Sequence, residues 1–276
     1  GRVAPMAWPL GSIGAMQLLL LLALAGAHAE DGRLPWEGRQ PFLSPRTSAT
    51  VTRITCVGDS ITIYGCASGP TMPYPQQLQR MLGDGFAVSN LGDGGKTMLK
   101  GGLCGDETGC SGDCSYWDQT TFLSAIQSHP DIVTIMMGTN DSKECNWLGK
   151  PDGDPPGGGI NFMNDYIDMI NTFKALPSKP QVWVVLPPPL THPPSNTSLP
   201  PPFNMSWHVI NEQFAALQRQ IAQRAGATGI IDVWSALNGT SMDPALTCDG
   251  CHPKDAALTI IANTIANTLT NVAAVK

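Results

Sequence analysis

Short apolar runs of strand length alternate along the chain with longer segments in which apolar residues recur every three or four positions. The short runs indicate strands buried on both faces, and the longer segments indicate amphipathic helices. The predicted strands are residues 52–57, 86–90, 132–137, 182–186 and 228–231, and the predicted helices are residues 75–82, 118–128, 161–175, 207–224 and 254–272. Five strand–helix units predict an α/β fold, a three-layer αβα sandwich with a central five-stranded parallel sheet.

Two stretches interrupt this alternation. Residues 101–114 are rich in glycine and cysteine, which predicts a surface loop stapled by disulfides. Residues 187–202 contain eight prolines, which predicts a solvated, polyproline-like rim. The alternative for the second stretch is that it shapes a substrate cleft, because long loops at strand ends often line the site of an open α/β sheet.

The N-terminal region resembles a targeting segment. Residues 16–29 form a short apolar core that ends in Ala-His-Ala, which predicts a secretory signal cleaved after Ala29. A stable membrane anchor is not expected, because glycine and polar residues interrupt the apolar stretch. We therefore expect a secreted protein with three parts: upstream residues and signal peptide (1–29), an N-terminal linker (30–50) and one folded domain (51–276).

Eight cysteines in a secreted chain predict disulfides, whose pairing the sequence does not reveal. The alternative is a zinc site that combines Cys248-x-x-Cys251 with the cysteines of residues 104–114, and an oxidising compartment disfavours it. N-glycosylation sequons lie at Asn140, Asn196, Asn204 and Asn238. The net charge of −6 and a pI near 5.2 provide no basic face, so nucleic acid is not an expected partner.

Polar residues follow the predicted strands where a doubly wound sheet binds its ligands, beyond the carboxyl ends. The first strand leads into Gly58-Asp59-Ser60-Ile61, the second into residues 90–97 with Gly95, and the third into Gly138-Thr139-Asn140-Asp141. Asp249-Gly250-Cys251-His252 precedes the last helix. A serine that faces a histidine oriented by an aspartate predicts a serine hydrolase.

These four blocks, in this order, resemble the SGNH hydrolase superfamily, also called the GDSL esterases and lipases, from about residue 53 to the last helix. The resemblance implies a flavodoxin-like SGNH hydrolase fold for residues 51–276. It assigns Ser60, His252 and Asp249 as a catalytic triad. It assigns the Ser60 and Gly95 backbone amides and the Asn140 side chain as an oxyanion hole, the set of donors that stabilises the negatively charged intermediate.

In this chemistry His252 takes the Ser60 proton and later delivers it to the leaving alcohol. Water is the second substrate, so neither a metal nor an organic cofactor is expected. Residues 130–133 and 137–143 are similar to carbohydrate acetyl esterases and sialate O-acetylesterase-like proteins, which implies an acetyl ester on a sugar, or another small ester, as substrate. The alternatives are a lipase or phospholipase, an acyltransferase with the same serine, and a non-catalytic carbohydrate-binding protein.

Several neighbours of the predicted site carry secondary expectations. Asp59 and Asp141 are expected to brace their loops by hydrogen bonds, and Asn140 to be unglycosylated, because a glycan would remove its amide donor. A bridge from Cys248 to Cys251, or from either to the cysteine-rich loop, is expected to hold the Asp249 loop. Two further sets are His129, His192 and His208, predicted to be structural or exposed, and Tyr64, Trp117 and Trp147, predicted either to stack on a sugar or to pack in the core.

Overall fold

The computed structural model describes residues 50–106, 109–148, 158–191 and 202–273. The predicted signal peptide, all of the predicted linker except Thr50, the sequon at Asn196, His192 and most of the proline-rich stretch lie outside these residues. All described residues belong to one unit, Thr47–Lys276. None of the helices in the described ranges is long and apolar enough to span a membrane.

The core of the fold is a parallel sheet made by all five predicted strands. The strands are β1 (Thr52–Gly58), β2 (Phe86–Gly92), β5 (Ile132–Met136), β6 (Gln181–Leu186) and β7 (Gly229–Asp232). Their spatial order is β2-β1-β5-β6-β7, the flavodoxin-like order of a doubly wound sheet. The predicted three-layer α/β architecture is confirmed.

The strands are nearly continuous apolar runs because helices cover both faces of the sheet. Alternate residues of β5 and β6 point to opposite faces: Val133 and Val184 join one apolar cluster, and Met136 and Val185 join the other. The larger helices are α2 (Tyr74–Leu82), α3 (Thr120–Gln127), α5 (Ile160–Lys174), α6 (Phe214–Ala225) and α8 (Asp255–Ala273), and a short helix, α7 (Val233–Ala236), follows β7. Residues of α3, α5 and α6 cover the first face, and residues of α2 and α8 cover the second.

The cysteine-rich region differs from the prediction of an irregular loop. It contains an antiparallel hairpin of β3 (Leu103–Asp106) and β4 (Gly109–Asp113). Glycine and cysteine hide the alternation of apolar and polar residues that usually marks a strand. Disulfides Cys104–Cys114 and Cys110–Cys145 staple the hairpin, the latter to the short helix α4 (Glu144–Trp147), as the prediction of a stapled excursion required.

The helix predicted over residues 207–224 begins differently. A π-helical turn, Val209–Gln213, precedes α6, so the chain gains an extra residue in that turn before the regular helix starts. Asn211 lies in this turn, and it is buried. Its Oδ1 accepts a hydrogen bond of 3.0 Å from the Leu190 amide, and its Nδ2 donates one of 2.8 Å to the Leu190 carbonyl.

The sheet order places the loops after β1 and β5 side by side. Gly58, the last residue of β1, pairs with Gly92 of β2 on one side and with Met136 of β5 on the other. The chain reverses its winding direction between β1 and β5, which is where open α/β sheets bind ligands. The fold therefore brings the three predicted polar loops to one edge of the sheet.

Candidate functional site

Ser60 is the first residue of a four-residue helix, α1 (Ser60–Ile63), which starts directly beyond β1. Asp59 caps this helix: its Oδ1 accepts a hydrogen bond of 3.0 Å from the Ile61 amide. The helix lies directly against the end of β2, where a Cβ atom on Gly92 would stand 2.3 Å from the Ile63 nitrogen. Glycine at the end of β2 therefore allows α1 to hold Ser60 at the sheet edge.

His252 faces Ser60 from the loop before α8. Its Nε2 lies 2.9 Å from Ser60 Oγ, and its Nδ1 lies 2.7 Å from Asp249 Oδ2. Ser60 is buried and the His252 side chain is 13% exposed, so both are largely shielded from solvent. The structure thus brings together the three residues predicted as a triad in one unbroken chain of hydrogen bonds.

The loop that carries Asp249 and His252 is held by its own backbone. Asp249 Oδ1 accepts from the amides of His252, at 2.7 Å, and Cys251, at 2.9 Å. Partial burial raises the pKa of the Asp249 carboxyl, but the hydrogen bonds from His252 and Cys251 outweigh it and leave the pKa below its usual value. A carboxylate that stays ionised and immobile fixes the orientation of the imidazole.

A disulfide between Cys66 and Cys248 joins this loop to the segment after Ser60. The expected bridge between Cys248 and Cys251, or to the cysteine-rich loop, is therefore wrong: Cys251 is a free, buried thiol near Met205. The zinc alternative is wrong as well. The sulfurs of Cys66 and Cys248 beside Asp249 are bonded to each other, and the cysteines of residues 104–114 are all in disulfides.

Asn140 and Gly95 lie on the two loops that flank Ser60. Asn140 begins a 3₁₀ turn beyond β5 and is 2% exposed. Its Nδ2 donates a hydrogen bond of 3.1 Å to the carbonyl of Lys96, which joins it to the loop after β2. An amide nitrogen carries two hydrogens, so one remains for a ligand. The burial of Asn140 supports the prediction that it is unglycosylated.

Gly95 has the backbone conformation and the open surroundings that close approach of a ligand requires. Its φ is +76°, in the left-handed region that favours glycine, and no atom lies within 4 Å of the place where a Cβ would stand. The loop starts from Asp93, whose amide donates a hydrogen bond of 2.9 Å to the Gly58 carbonyl. The loop is thereby tied to β1, the strand that leads into Ser60.

Asp141 braces the loop after β2 by hydrogen bonds, in keeping with its predicted role. Its carboxylate accepts from the amides of Met98, at 2.9 Å, and Leu99, at 2.8 Å, and it is fully buried. Burial raises the pKa of Asp141 to about 7 and that of Asp59 to about 6. The bracing role expected of Asp59 is confirmed by its bond to the Ile61 amide.

The aromatic residues divide between the two predicted roles. Trp147 packs against Phe162 and Phe214, and Trp117 packs against Phe122, so both are core residues. Tyr64 is half exposed and stacks near the His252 ring, with centroids 6.4 Å apart. Of the histidines without a motif, His129 and His208 are exposed.

Sequence reasoning missed three contributors that act on the His252 loop. The Phe203 ring meets the His252 ring edge-on, with centroids 5.3 Å apart. Thr191 donates its amide to the Gly250 carbonyl at 3.0 Å. Asn211 fixes the backbone of Leu190, the residue before Thr191. No local pattern marks any of these contacts, which join residues 21 to 59 positions apart in the sequence.

The sequence and the fold were compared with known proteins. A curated acetylxylan esterase from Xylanibacter ruminicola is 29% identical over 240 residues, which cover 80% of this chain and 44% of that relative. The chain thus spans less than half the length of the curated relative that it matches. Among solved structures, a carbohydrate acetylesterase family member from Sinorhizobium meliloti matches with a TM-score of 0.56 at 20% identity, covering 79% of this chain and 97% of that one.

Two further structures have the same fold. A two-domain esterase active on acetylated mannans matches with a TM-score of 0.53 at 18% identity, covering 81% of this chain and 51% of the other. The aryl esterase of M. smegmatis matches with a TM-score of 0.53 at 20% identity, covering 80% and 99%. Residues 56–258 match the sequence profile of the GDSL-like Lipase/Acylhydrolase family, from β1 to the start of α8. The family predicted from the sequence is confirmed: the chain belongs to the GDSL-like lipase/acylhydrolase family.

Proposed function

We propose that this protein is a secreted serine esterase that removes small acyl groups, acetyl first among them, from carbohydrate hydroxyls. The observation that carries the proposal is the hydrogen-bonded series Ser60–His252–Asp249, with separations of 2.9 and 2.7 Å at a ligand-binding edge of the sheet. Folding alone gives no reason to assemble these three groups at one strand end.

The proposed reaction starts with Ser60 Oγ, which attacks the ester carbonyl carbon while His252 Nε2 accepts its proton. The tetrahedral intermediate breaks down when His252 returns that proton to the alcohol oxygen, which leaves an acyl group on Ser60. Water, deprotonated by His252, then attacks the acyl carbon, and the acid departs as Ser60 regains its proton. Asp249 holds the imidazole in the tautomer that both steps need.

The negative charge of each intermediate develops on the carbonyl oxygen. We assign its stabilisation to the backbone amides of Ser60 and Gly95 and to the side-chain amide of Asn140. Fixed donors are effective here because they need no reorganisation as the charge forms. The bonds from Asn140 to Lys96 and from Asp141 to the loop after β2 support this assignment, because they hold both predicted donors in place.

The choice of substrate rests on the relatives. The curated acetylxylan esterase and the mannan-active esterase both act on acetylated polysaccharides, as their names state. The proposal of secretion rests on residues 16–29 and is supported by three disulfides among the described residues, since disulfides persist in oxidising compartments. Amino-terminal sequencing of the exported protein tests it, with Glu30 expected as the first residue.

A fluorophosphonate probe tests the proposed nucleophile. The intact protein should be labelled, Ser60→Ala should not, and Ser68→Ala, a serine in the same loop region, should be labelled like the parent. Labelling that persists in Ser60→Ala would displace the assignment. Asn140→Ala should retain the fold and lose about 10²- to 10³-fold in kcat, the usual loss for one oxyanion donor.

A series of esters with increasing acyl length tests the proposed substrate class. Turnover of acetate esters and a steep fall beyond butyrate are expected. Equal or rising turnover of long acyl chains would favour a lipase or phospholipase, and acyl transfer to an added alcohol in preference to water would favour a transferase. Sugar binding without turnover of any ester would favour the non-catalytic alternative.

A further inference from the structure

Two aromatic side chains flank the proposed general base. Among the described residues, Tyr64 and Phe203 are the only tryptophan, tyrosine or phenylalanine side chains that are exposed, at 49% and 42%. Both contact the same imidazole: Tyr64 at a ring-to-ring angle of 28°, and Phe203 at 78°. Exposed aromatic rings leave apolar surface in contact with water, so their restriction to one place indicates a binding surface.

The two residues reach His252 from different parts of the fold. Tyr64 directly follows α1, four residues after Ser60, whereas Phe203 follows the proline-rich stretch. Phe203 has a φ of +57°, an uncommon value for a residue with a large side chain. The neighbouring Met205 pairs with Lys143 in a backbone bridge, and Ser206 donates its amide to the Ser142 carbonyl at 3.2 Å. These bonds anchor the Phe203 segment to the loop of Asn140.

Tyr64 also borders the proposed oxyanion loop. Its hydroxyl lies 3.1 Å from the place where a Cβ on Gly94 would stand. The tyrosine ring therefore extends from the imidazole towards the loop of Gly95. A group that contacts both His252 and this ring lies beside the reacting carbonyl rather than at a distant surface.

The reaction chemistry identifies which part of the substrate meets these rings. His252 Nε2 must donate its proton to the leaving alcohol oxygen, so that oxygen and its carbon skeleton lie next to the imidazole. The acyl group is attached on the other side of the carbonyl carbon. Side chains that flank the His252 ring are therefore the ones placed to contact the alcohol part of the ester.

We propose that Tyr64 and Phe203 form a binding site for the leaving alcohol, specifically for the pyranose ring of an acetylated sugar. A pyranose presents C–H groups on its faces and hydroxyls around its rim. The faces pack on aromatic rings while the rim stays hydrated, which suits two half-exposed rings better than a fully apolar alcohol would. This inference rests on the proposed esterase function and names the substrate group that the site selects.

The test compares two acetate esters that differ only in the alcohol. The kcat/KM for an acetylated xylo-oligosaccharide is divided by that for ethyl acetate, whose alcohol is too small to span either ring. Tyr64→Ala and Phe203→Ala should each lower this ratio by about tenfold, the scale of one lost aromatic packing contact. Tyr64→Phe keeps the ring and should restore most of the ratio.

Leu123→Ala is the matched control, because Leu123 is an apolar side chain of α3 that is 55% exposed and distant in sequence from the site. It should leave the ratio unchanged. A fall in both rates by the same factor would mean that the rings only position His252, and would overturn the proposal. An unchanged ratio in both alanine variants would overturn it as well.

A binding measurement separates failure of this proposal from failure of the esterase proposal. Calorimetric titration of Ser60→Ala with the same acetylated xylo-oligosaccharide requires no turnover. A Kd that weakens about tenfold when Tyr64→Ala or Phe203→Ala is added supports the sugar site even if no ester is hydrolysed. Absence of binding, or a Kd that neither substitution changes, overturns it even in an active esterase.

Discussion

Cys66 and Cys248 form a disulfide that joins the segment after Ser60 to the loop of Asp249 and His252, across 182 positions of sequence. The same two segments are also joined by a hydrogen bond of 2.8 Å, which the Cys66 amide donates to the Pro253 carbonyl. The proposed nucleophile and its base thus come from opposite ends of the domain and are linked covalently within a few residues of each.

Removal of this disulfide should impair catalysis and stability together. In the chain-entropy account, a closed loop of this length contributes about 5 kcal/mol, against about 3 kcal/mol for the ten-residue separation of Cys104 and Cys114. Cys66→Ser/Cys248→Ser should therefore lose more free energy of unfolding in urea than Cys104→Ser/Cys114→Ser does. It should also lose esterase activity under conditions in which circular dichroism shows a folded protein.

Mild reduction offers the same test without substitution. Activity should fall before global unfolding as the thiols of Cys66 and Cys248 become alkylatable. Full activity in a protein whose Cys66 and Cys248 are both alkylated would show that the disulfide has no part in holding the site.

Asp249→Asn should lower kcat by about 10³- to 10⁴-fold. The amide can still occupy the position of the carboxylate, but it favours the wrong imidazole tautomer and does not stabilise the imidazolium. Asp243→Asn is the matched control, because Asp243 is an exposed residue whose carboxylate accepts a hydrogen bond from the nearby Ala245 amide. Initial rates on an acetate ester check both, and an Asp249→Asn variant within tenfold of the parent would contradict the role assigned to Asp249.

Asp141→Asn should damage the proposed oxyanion loop. Two backbone amides share the carboxylate, and an asparagine has one oxygen acceptor, so one of the Met98 and Leu99 amides would face an NH₂ group. We expect a loss of about 1–3 kcal/mol in the free energy of unfolding and a reduced kcat. Asp113→Asn is the control, because Asp113 is exposed and its carboxylate accepts a hydrogen bond from the Ser115 amide. It should change neither the free energy of unfolding nor kcat by a comparable amount.

The buried carboxyl of Asp59 should make the protein less stable as the pH rises from about 4 to about 7. Burial raises the pKa of Asp59 to about 6 from its ordinary value of 3.8. The folded state therefore holds the proton more tightly than the unfolded state. The stabilisation is fully present below pH 3.8 and is lost as the pH rises through about 6.

Asp59→Asn isolates this contribution, because asparagine can keep the bond to the Ile61 amide without the ionisable group. The free energy of unfolding of Asp59→Asn, measured in urea between pH 4.5 and 7.5, should fall less steeply with pH than that of the parent. Asp141, whose pKa is raised to about 7, contributes in the same direction in both proteins. Parallel pH curves for parent and variant would refute the prediction.

Asn211 should act on catalysis through the backbone of Leu190 and Thr191. Asn211→Asp retains the acceptor for the Leu190 amide but loses the donor to its carbonyl. Because Thr191 holds Gly250, the loss should displace the His252 loop and lower kcat more than it raises KM. A change confined to thermal stability, with kcat unaltered, would limit Asn211 to a structural role.

The strands and the separate motifs that carry the proposed triad were predictable because each of them is a local sequence pattern. A buried parallel strand is a short apolar run, and Asp249 and His252 lie three positions apart in one loop. The hairpin of residues 103–113 was not predicted, because glycine and cysteine carry no strand alternation. The pairing of Cys66 with Cys248, and the contacts of Phe203 and Asn211, join segments that only the folded chain brings together.

The residues on either side of the interval 192–201 are held beside the proposed base: the Thr191 amide donates to the Gly250 carbonyl, and the Phe203 ring meets the ring of His252. A segment inserted or exchanged within residues 192–201 would therefore join the fold at two residues that lie beside His252. Neither of these two residues belongs to the sheet. We therefore expect sequences exchanged into this interval to change substrate preference more than they change the stability of the sheet.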